Sequence, residues 1–447
     1  MALILNLVAG LIAFYFAYRF ALNKQMVVTL PWDKRYEYVC NQNLSFLIYS
    51  ILTAMLFLGP LSLLKYAVWI VLLLVMIYRG GFRYRFNIVL GAYSLFVLWN
   101  LYTMTYTLYP GQGWMMLLKF CLPYLYFWLG YNAIQREDDF YIFLEKTCWI
   151  CCGYALIIGG VSDKLLTPLY IFLNYTSGGL FITYASLADF FAILLAVPII
   201  MFLVTNRRMY LWMAAWLLLS TVLAAVRTGI GASLFGLAFF YMLYKKGKSV
   251  PYIALMVIIF IGSIFAIPEV REKMFGEDAD KVTLSNAGAA KVTMNGRDTV
   301  WELTMNRFYK GKEIQGSGCG TALAWLKEYY VGGKSAGLIH SDWVQMLCES
   351  GKIGVGIYIA FALVMLLIVL SETWKNKDYL SITFAGALTV ASFVACFFAM
   401  GFDNVITYAQ QGYVIPFIFL GIFYKFKDLN NDFCSNCLLY TSPSPRD

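Results

Sequence analysis

The one histidine of the 447-residue chain, His340, sits in the stretch GLIHSDWVQMLCESGKIG at 337–354. Near neutral pH an imidazole can take a proton from a hydroxyl group, a task few other side chains perform as well. Two arginines offer the complementary chemistry. Arg227, in AAVRTGIGAS at 224–233, is the only charge between Arg208 and Lys245, and Arg297 lies in NGRDTVW at 295–301. The guanidinium fork suits phosphate oxygens. At a membrane face such a group is costly unless it is paired or binds a ligand. For Arg227 the plainer reading is snorkelling or an ion pair with Asp189; for Arg297 it is a solvated loop charge. Lys65 and Lys119 fall toward the same side and are further candidates for holding an anion. Asp342 and Glu349 could orient the ring or a sugar, although an acid in the first turn of a helix is equally explained by capping.

The elements that position these groups follow from composition. Hydrophobic residues make up 61% of the chain and charged residues 13%, outside the range of soluble globular domains. Apolar runs long enough to cross about 30 Å of hydrocarbon recur throughout, which predicts an all-α, polytopic bundle of about 13 transmembrane helices and excludes a β-barrel. The net charge of +9 does not signal nucleic acid, because Lys and Arg occur in short clusters between apolar runs. Clusters at 79–85 (RGGFRYR), Arg207 and Arg208, Lys245 to Lys248, Lys375 with Lys377, and Lys425 with Lys427 mark cytoplasmic segments. Each interval between them then holds an even number of spans.

This orientation makes 268–352 one large extracytoplasmic loop subdomain between the fourth-last and third-last spans. Inside it the pattern predicts helices at 298–309 and 322–330 around the glycine-rich GKEIQGSGCG (311–320), and a third helix from an N-cap at Ser341 to Gly351. His340 then lies at the positive end of a helix dipole, where a neutral base is favoured over imidazolium. The same helix N-terminus could donate amides to a phosphate. Aromatic residues Trp301, Trp325, Tyr329, Tyr330 and Trp343 offer flat faces for sugar rings, a weak signal at a membrane interface.

Cys121, Cys148, Cys151, Cys152 and Cys396 lie in apolar segments and read as small hydrophobes, whereas Cys319 and Cys348 share the loop and could form a disulfide. One histidine is too few for a histidine-rich metal site, so no metal and no cofactor are expected and the expected reaction is metal-independent. The run from Ala2 to Ala21 lacks a basic leader and a cleavage site and reads as a retained membrane helix. CLLYTSPSPRD (437–447) resembles the translation of a transposon-type sequencing adapter and is set aside as an artefact.

Taken in order, RTGIGA (227–232), GRDTVWE (296–302), GSGCG (316–320) and HSDWVQMLCESGKIG (340–354) leading into a membrane helix resemble the O-antigen ligase and O-antigen polymerase family of bacterial membrane glycosyltransferases. The resemblance covers roughly 205–370, with 1–204 and 371–430 as flanking transmembrane helices. It implies a GT-C-like architecture in the bacterial inner membrane and substrates carried on undecaprenyl pyrophosphate. A flippase and chain-length regulator proteins are possible partners of such an enzyme, and the clustered charges give no nucleic acid partner. In that family the two arginines engage the pyrophosphate and the loop histidine acts on the acceptor hydroxyl; the matching positions are Arg227, Arg297 and His340. Val226 stands where the family often has a hydroxyl, so Thr228 would have to substitute. Polymerisation is the leading expectation, ligation to lipid A core the close rival. A transporter is the reading from another class, disfavoured because no internal repeat is visible and the polar groups gather on one side.

Overall fold

A lipid environment requires every backbone polar group to be satisfied within the chain, and helices do this segment by segment. In the computed structural model, the residues described are 26–54, 83–155, 184–245, 296–329 and 338–441, a few positions within them excepted, with isolated positions between 74 and 275. The expected helix at 2–21, Lys65 and Tyr330 lie outside them.

An antiparallel pair, β1 (Val27–Thr29) and β2 (Glu37–Val39), sets Val27 opposite Val39. It is followed by α1 (Gln42–Ala54), α2 (Ile88–Thr103), α3 (Pro110–Ala133), α4 (Glu137–Tyr154), α5 (Tyr184–Leu194), α6 (Ala196–Thr205) and α7 (Arg208–Leu223). The chain continues through α8 (Arg227–Lys245), α9 (Arg297–Phe308), α10 (Thr321–Tyr329), α11 (Asp342–Lys375), α12 (Leu380–Phe402) and α13 (Gln410–Thr441). Among the described residues three helical stretches are long and apolar enough to cross a bilayer: Ala188–Thr205, Asp342–Lys375 and Leu380–Phe402. The protein is therefore a helical membrane protein. The expected total of about thirteen crossings rests also on segments outside the described residues.

Small residues bring the helices together. Gly130 of α3 and Gly421 of α13 face the partner's backbone so closely that a Cβ at either would collide with Ile418 or Phe127. Gly236 brings α8 against Ala391 and Ala395 of α12 in the same way. Between these seams lies an aromatic core, in which the Tyr93 hydroxyl meets the Phe120 carbonyl at 2.7 Å and the Tyr413 hydroxyl at 2.8 Å. A buried phenol keeps its polar tip satisfied in this way.

The loop helices form where the sequence places them, α9 one residue early and α10 one residue early. The third differs. Ser341 is the N-cap, its hydroxyl accepting from the Val344 N–H at 3.3 Å, but the helix does not stop at Gly351. That glycine takes φ 67°, ψ −172°, breaks the hydrogen-bond ladder, and the helix resumes to Lys375. Five of the backbone groups around the break find partners outside the helix, as buried backbone requires. The Cys348 carbonyl accepts from Ser317 N–H at 2.9 Å, the Glu349 carbonyl from Gly318 N–H at 2.9 Å, and the Ser350 carbonyl from the Trp99 indole at 2.8 Å. Lys352 N–H donates to the Glu313 carbonyl at 2.8 Å and Ile353 N–H to Ile314 at 3.2 Å. The glycine-rich loop is thus welded to the head of α11. Only a residue without Cβ fits there, since one at Gly316 or Gly351 would strike the facing strand of backbone.

Candidate functional site

Six residues at and just after the end of α12, Phe402 to Thr407, collect four of the groups that the sequence singles out: Arg297, His340, Asp342 and Lys119. The Phe402 carbonyl accepts from the Arg297 guanidinium. Next along the chain, Asp403 sets Oδ1 at 3.5 Å from Nδ1 of His340, and its own carbonyl accepts from Asp342 N–H at 3.2 Å. Asn404 Oδ1 accepts from the His340 backbone N–H at 2.6 Å, while its amide reaches Asp342 Oδ1 and Gln345 Oε1, both at 3.4 Å. Ile406 N–H donates to Asp342 Oδ2 at 3.0 Å. Finally the Thr407 carbonyl accepts from Lys119 Nζ at 2.6 Å. The connector therefore orders a guanidinium, the imidazole, a buried carboxylate and an ammonium in chain sequence.

The histidine's own backbone is special. His340 adopts φ 55°, shared among described non-glycine residues only by Asn206. This left-handed conformation costs free energy that the surroundings must offset. Asn404 supplies part of that offset from one side, and the Trp301 indole, donating to the Ile339 carbonyl at 2.6 Å, fixes the peptide just before it. The ring's Nδ1 faces Asp403 Oδ1.

Arg227 begins α8 and Arg297 begins α9, and the two guanidiniums stand within Coulombic reach of each other. Two like charges so placed repel each other. Asp189 of α5 is fully buried and neither of its carboxylate oxygens has a hydrogen bond among the described residues. Its strongest cationic neighbour is Arg297, not the Arg227 that the sequence offered as an ion-pair partner. Thr228 is buried in the first turn of α8.

The two acids expected to support the histidine make their hydrogen bonds to backbone and side-chain amides. Glu349 accepts from Gly320 N–H at 2.9 Å, Leu323 N–H at 3.1 Å and the Gln345 amide at 3.3 Å, so it caps α10 and ties that helix to α11. Asp342 anchors the connector through Asn404 and Ile406. Cys319 and Cys348 do not form a disulfide: both are free buried thiols, and Cys348 faces a separate small cluster with Val300, Phe308 and Leu326. Among the sugar-binding candidates, Trp301 and Trp343 spend their indoles on the Ile339 and Phe397 carbonyls, the latter at 3.1 Å. Trp325 and Tyr329 stack with ring centres 6.1 Å apart, and the Arg307 guanidinium lies over Trp325 at 4.5 Å. Among the described residues no three His, Cys, Asp or Glu side chains are spaced to hold a metal ion.

Sequence reasoning missed Asp403 and Asn404. The signal was available: Asp403 is the only charge between Asp378 and Lys425, the same argument that singles out Arg227. No family model matches the chain, and no curated protein is significantly similar to it.

Proposed function

We propose that the chain is a bacterial inner-membrane glycosyltransferase that polymerises envelope polysaccharide. On this reading it moves a glycan from undecaprenyl pyrophosphate onto the acceptor sugar of another lipid-linked repeat unit. The observation that supports it is the 402–407 connector, which holds Arg297 and His340 through adjacent residues.

Asp403 beside Nδ1 favours the tautomer with its proton on that nitrogen, leaving the Nε2 lone pair for the acceptor. The acceptor hydroxyl gives its proton to Nε2 as its oxygen bonds to the anomeric carbon. The bond from that carbon to the phosphate oxygen breaks, and its electron pair stays on the diphosphate. Arg227 and Arg297 stabilise the charge growing there. Attack opposite the leaving group inverts the anomeric configuration.

A His340→Ala variant, scored by gel for surface polysaccharide, tests the reading. Loss of the long-chain ladder with a single repeat still attached indicates polymerase. Polymer accumulating on the lipid carrier indicates a ligase. Normal ladders with normal attachment sink both.

A further inference from the structure

Asn404 follows the aspartate that faces the imidazole, and it is fully buried. A primary amide offers an oxygen that accepts and a nitrogen that donates twice. Here Oδ1 accepts from the His340 backbone N–H at 2.6 Å, and the amide nitrogen donates to Asp342 Oδ1 and Gln345 Oε1, both at 3.4 Å. The backbone N–H of the same residue donates to Asp403 Oδ1 at 2.9 Å, the oxygen that lies 3.5 Å from His340 Nδ1. One residue therefore holds both members of the imidazole–carboxylate pair.

The direction of these bonds follows from their partners. A backbone N–H needs an acceptor, and the carboxylate of Asp342 needs a donor. Turning the amide over would set donor against donor on one side and oxygen against oxygen on the other. An aspartate at 404 would lose both donors, and a leucine would lose the acceptor as well. Asparagine meets both demands. What it holds is strained backbone, since His340 sits at φ 55°. Beside it, Asp342 N–H donates to the Asp403 carbonyl at 3.2 Å and Ile406 N–H to Asp342 Oδ2 at 3.0 Å, so 340–342 and 403–406 are clasped in both directions. Asp342, Asp403 and Asn404 are buried, while the imidazole side chain remains 23% exposed.

Resting on the glycosyltransferase reading above, we propose that Asn404 is the positioning residue of the base: through the His340 backbone N–H it keeps Nδ1 facing Asp403 and Nε2 bare for the acceptor hydroxyl. It acts through the histidine and not on substrate. Without its side chain the His340 backbone leaves the left-handed region and the ring loses its register with Asp403.

The chain contains one histidine, so [15N]histidine labelling reports a single imidazole and a single backbone amide. The full chain, purified on a tag free of histidine and placed in lipid nanodiscs in mildly alkaline buffer, is read by solid-state NMR, where ring 15N shifts separate the two neutral tautomers. Wild type is expected to carry its proton on Nδ1. Asn404→Ala is expected to shift toward the Nε2–H form that a free imidazole favours. Its kcat with a synthetic lipid-linked repeat should fall about 10–100-fold while KM for that donor stays unchanged. A folded Asn404→Ala chain with the wild-type tautomer overturns the proposal, whatever its stability, and so does a wild-type ring protonated on Nε2. A shifted tautomer in a chain whose wild type transfers no glycan leaves the positioning intact and removes the glycosyltransferase reading instead. Should Asn404→Ala not fold, the wild-type amide decides: hydrogen exchange at His340 N–H is expected to be slowed about tenfold or more, and exchange at the unprotected rate overturns the proposal.

Discussion

The two ends of the bundle handle their cations differently. At the end where α11 finishes and α13 emerges, cations meet carboxylates: Arg85 pairs with Asp428 at 3.1 Å, and Glu372 takes both Lys427 at 3.1 Å and Lys375 at 3.5 Å. At the loop end, Arg297 and Lys119 donate to main-chain carbonyls and form no ion pair among the described residues. Acids are not scarce there, since Asp189, Asp342, Asp403 and Glu349 are all buried nearby. They are occupied by amides or by the histidine, or, in Asp189, lack a hydrogen bond among the described residues. A carbonyl orients a guanidinium without cancelling its charge. On the proposed function, the loop end keeps its charge available for a ligand.

Breaking the loop end should cost far more function than stability. His340→Asn is the sharpest cut, because asparagine tolerates the left-handed φ of 55° that most residues resist. The fold should survive while transfer in a reconstituted assay with a synthetic lipid-linked repeat falls about 10²–10⁴-fold, the span expected for removing a general base. Unaltered turnover would show that the imidazole takes no proton. Arg297→Lys keeps a positive charge but loses the fork, and should lower transfer about 10²-fold through weaker hold on the leaving diphosphate. Equal rates for lysine and arginine there would make the contact to Phe402 merely structural.

Asp403→Asn comes next. It keeps size and hydrogen-bonding capacity but removes the charge facing Nδ1, and should reduce kcat by about 10–100-fold, matching the roughly 1.5–3 kcal/mol of a hydrogen bond to a charged group. The limb of the pH–rate profile that reports the base should move with it, while KM for the lipid donor stays put. A change confined to KM would show that Asp403 serves binding rather than ring orientation.

How far the sequence reaches follows from the kind of signal each feature leaves. Helix periodicity, caps and basic clusters are local, so the loop helices, the Ser341 cap and the membrane class are legible to within a residue or two. Gly351 reads as a helix stop because local rules assign glycine there to termination. The partners that let the helix continue, Glu313, Ile314 and Trp99, lie tens to hundreds of residues away. Glu349 misleads for the same reason: beside a histidine it reads as catalytic support, but its partners at Gly320 and Leu323 come from the loop upstream. The site's histidine and arginines are legible by type. The meeting of His340 and Arg297 at 402–407 is not, because that connector carries no motif beyond one isolated aspartate.

Glu349→Ala separates the structural acid from the chemical groups. It leaves the buried Gly320 and Leu323 N–H groups without their acceptor, at about 1–3 kcal/mol for each donor orphaned. Thermal unfolding in detergent should drop by several degrees, with activity per folded molecule changed much less than in the histidine or Asp403 variants. The reverse pattern, full stability with lost activity, would place Glu349 in the chemistry after all.

The smallest effect is expected where the charges are paired. Glu372→Gln removes the acceptor of both Lys375 and Lys427. The lysines reach solvent, with side chains 66% and 26% exposed, so the released ammoniums rehydrate and the loss should be about 0–1 kcal/mol. Transfer activity should remain at the wild-type rate, because a helix running some 45 Å at 1.5 Å per residue separates Glu372 from the His340 end. A large fall in activity here would mean that the two ends are mechanically coupled through α11, and the contrast between topological and ligand-binding charge would have to be redrawn around the break at Gly351.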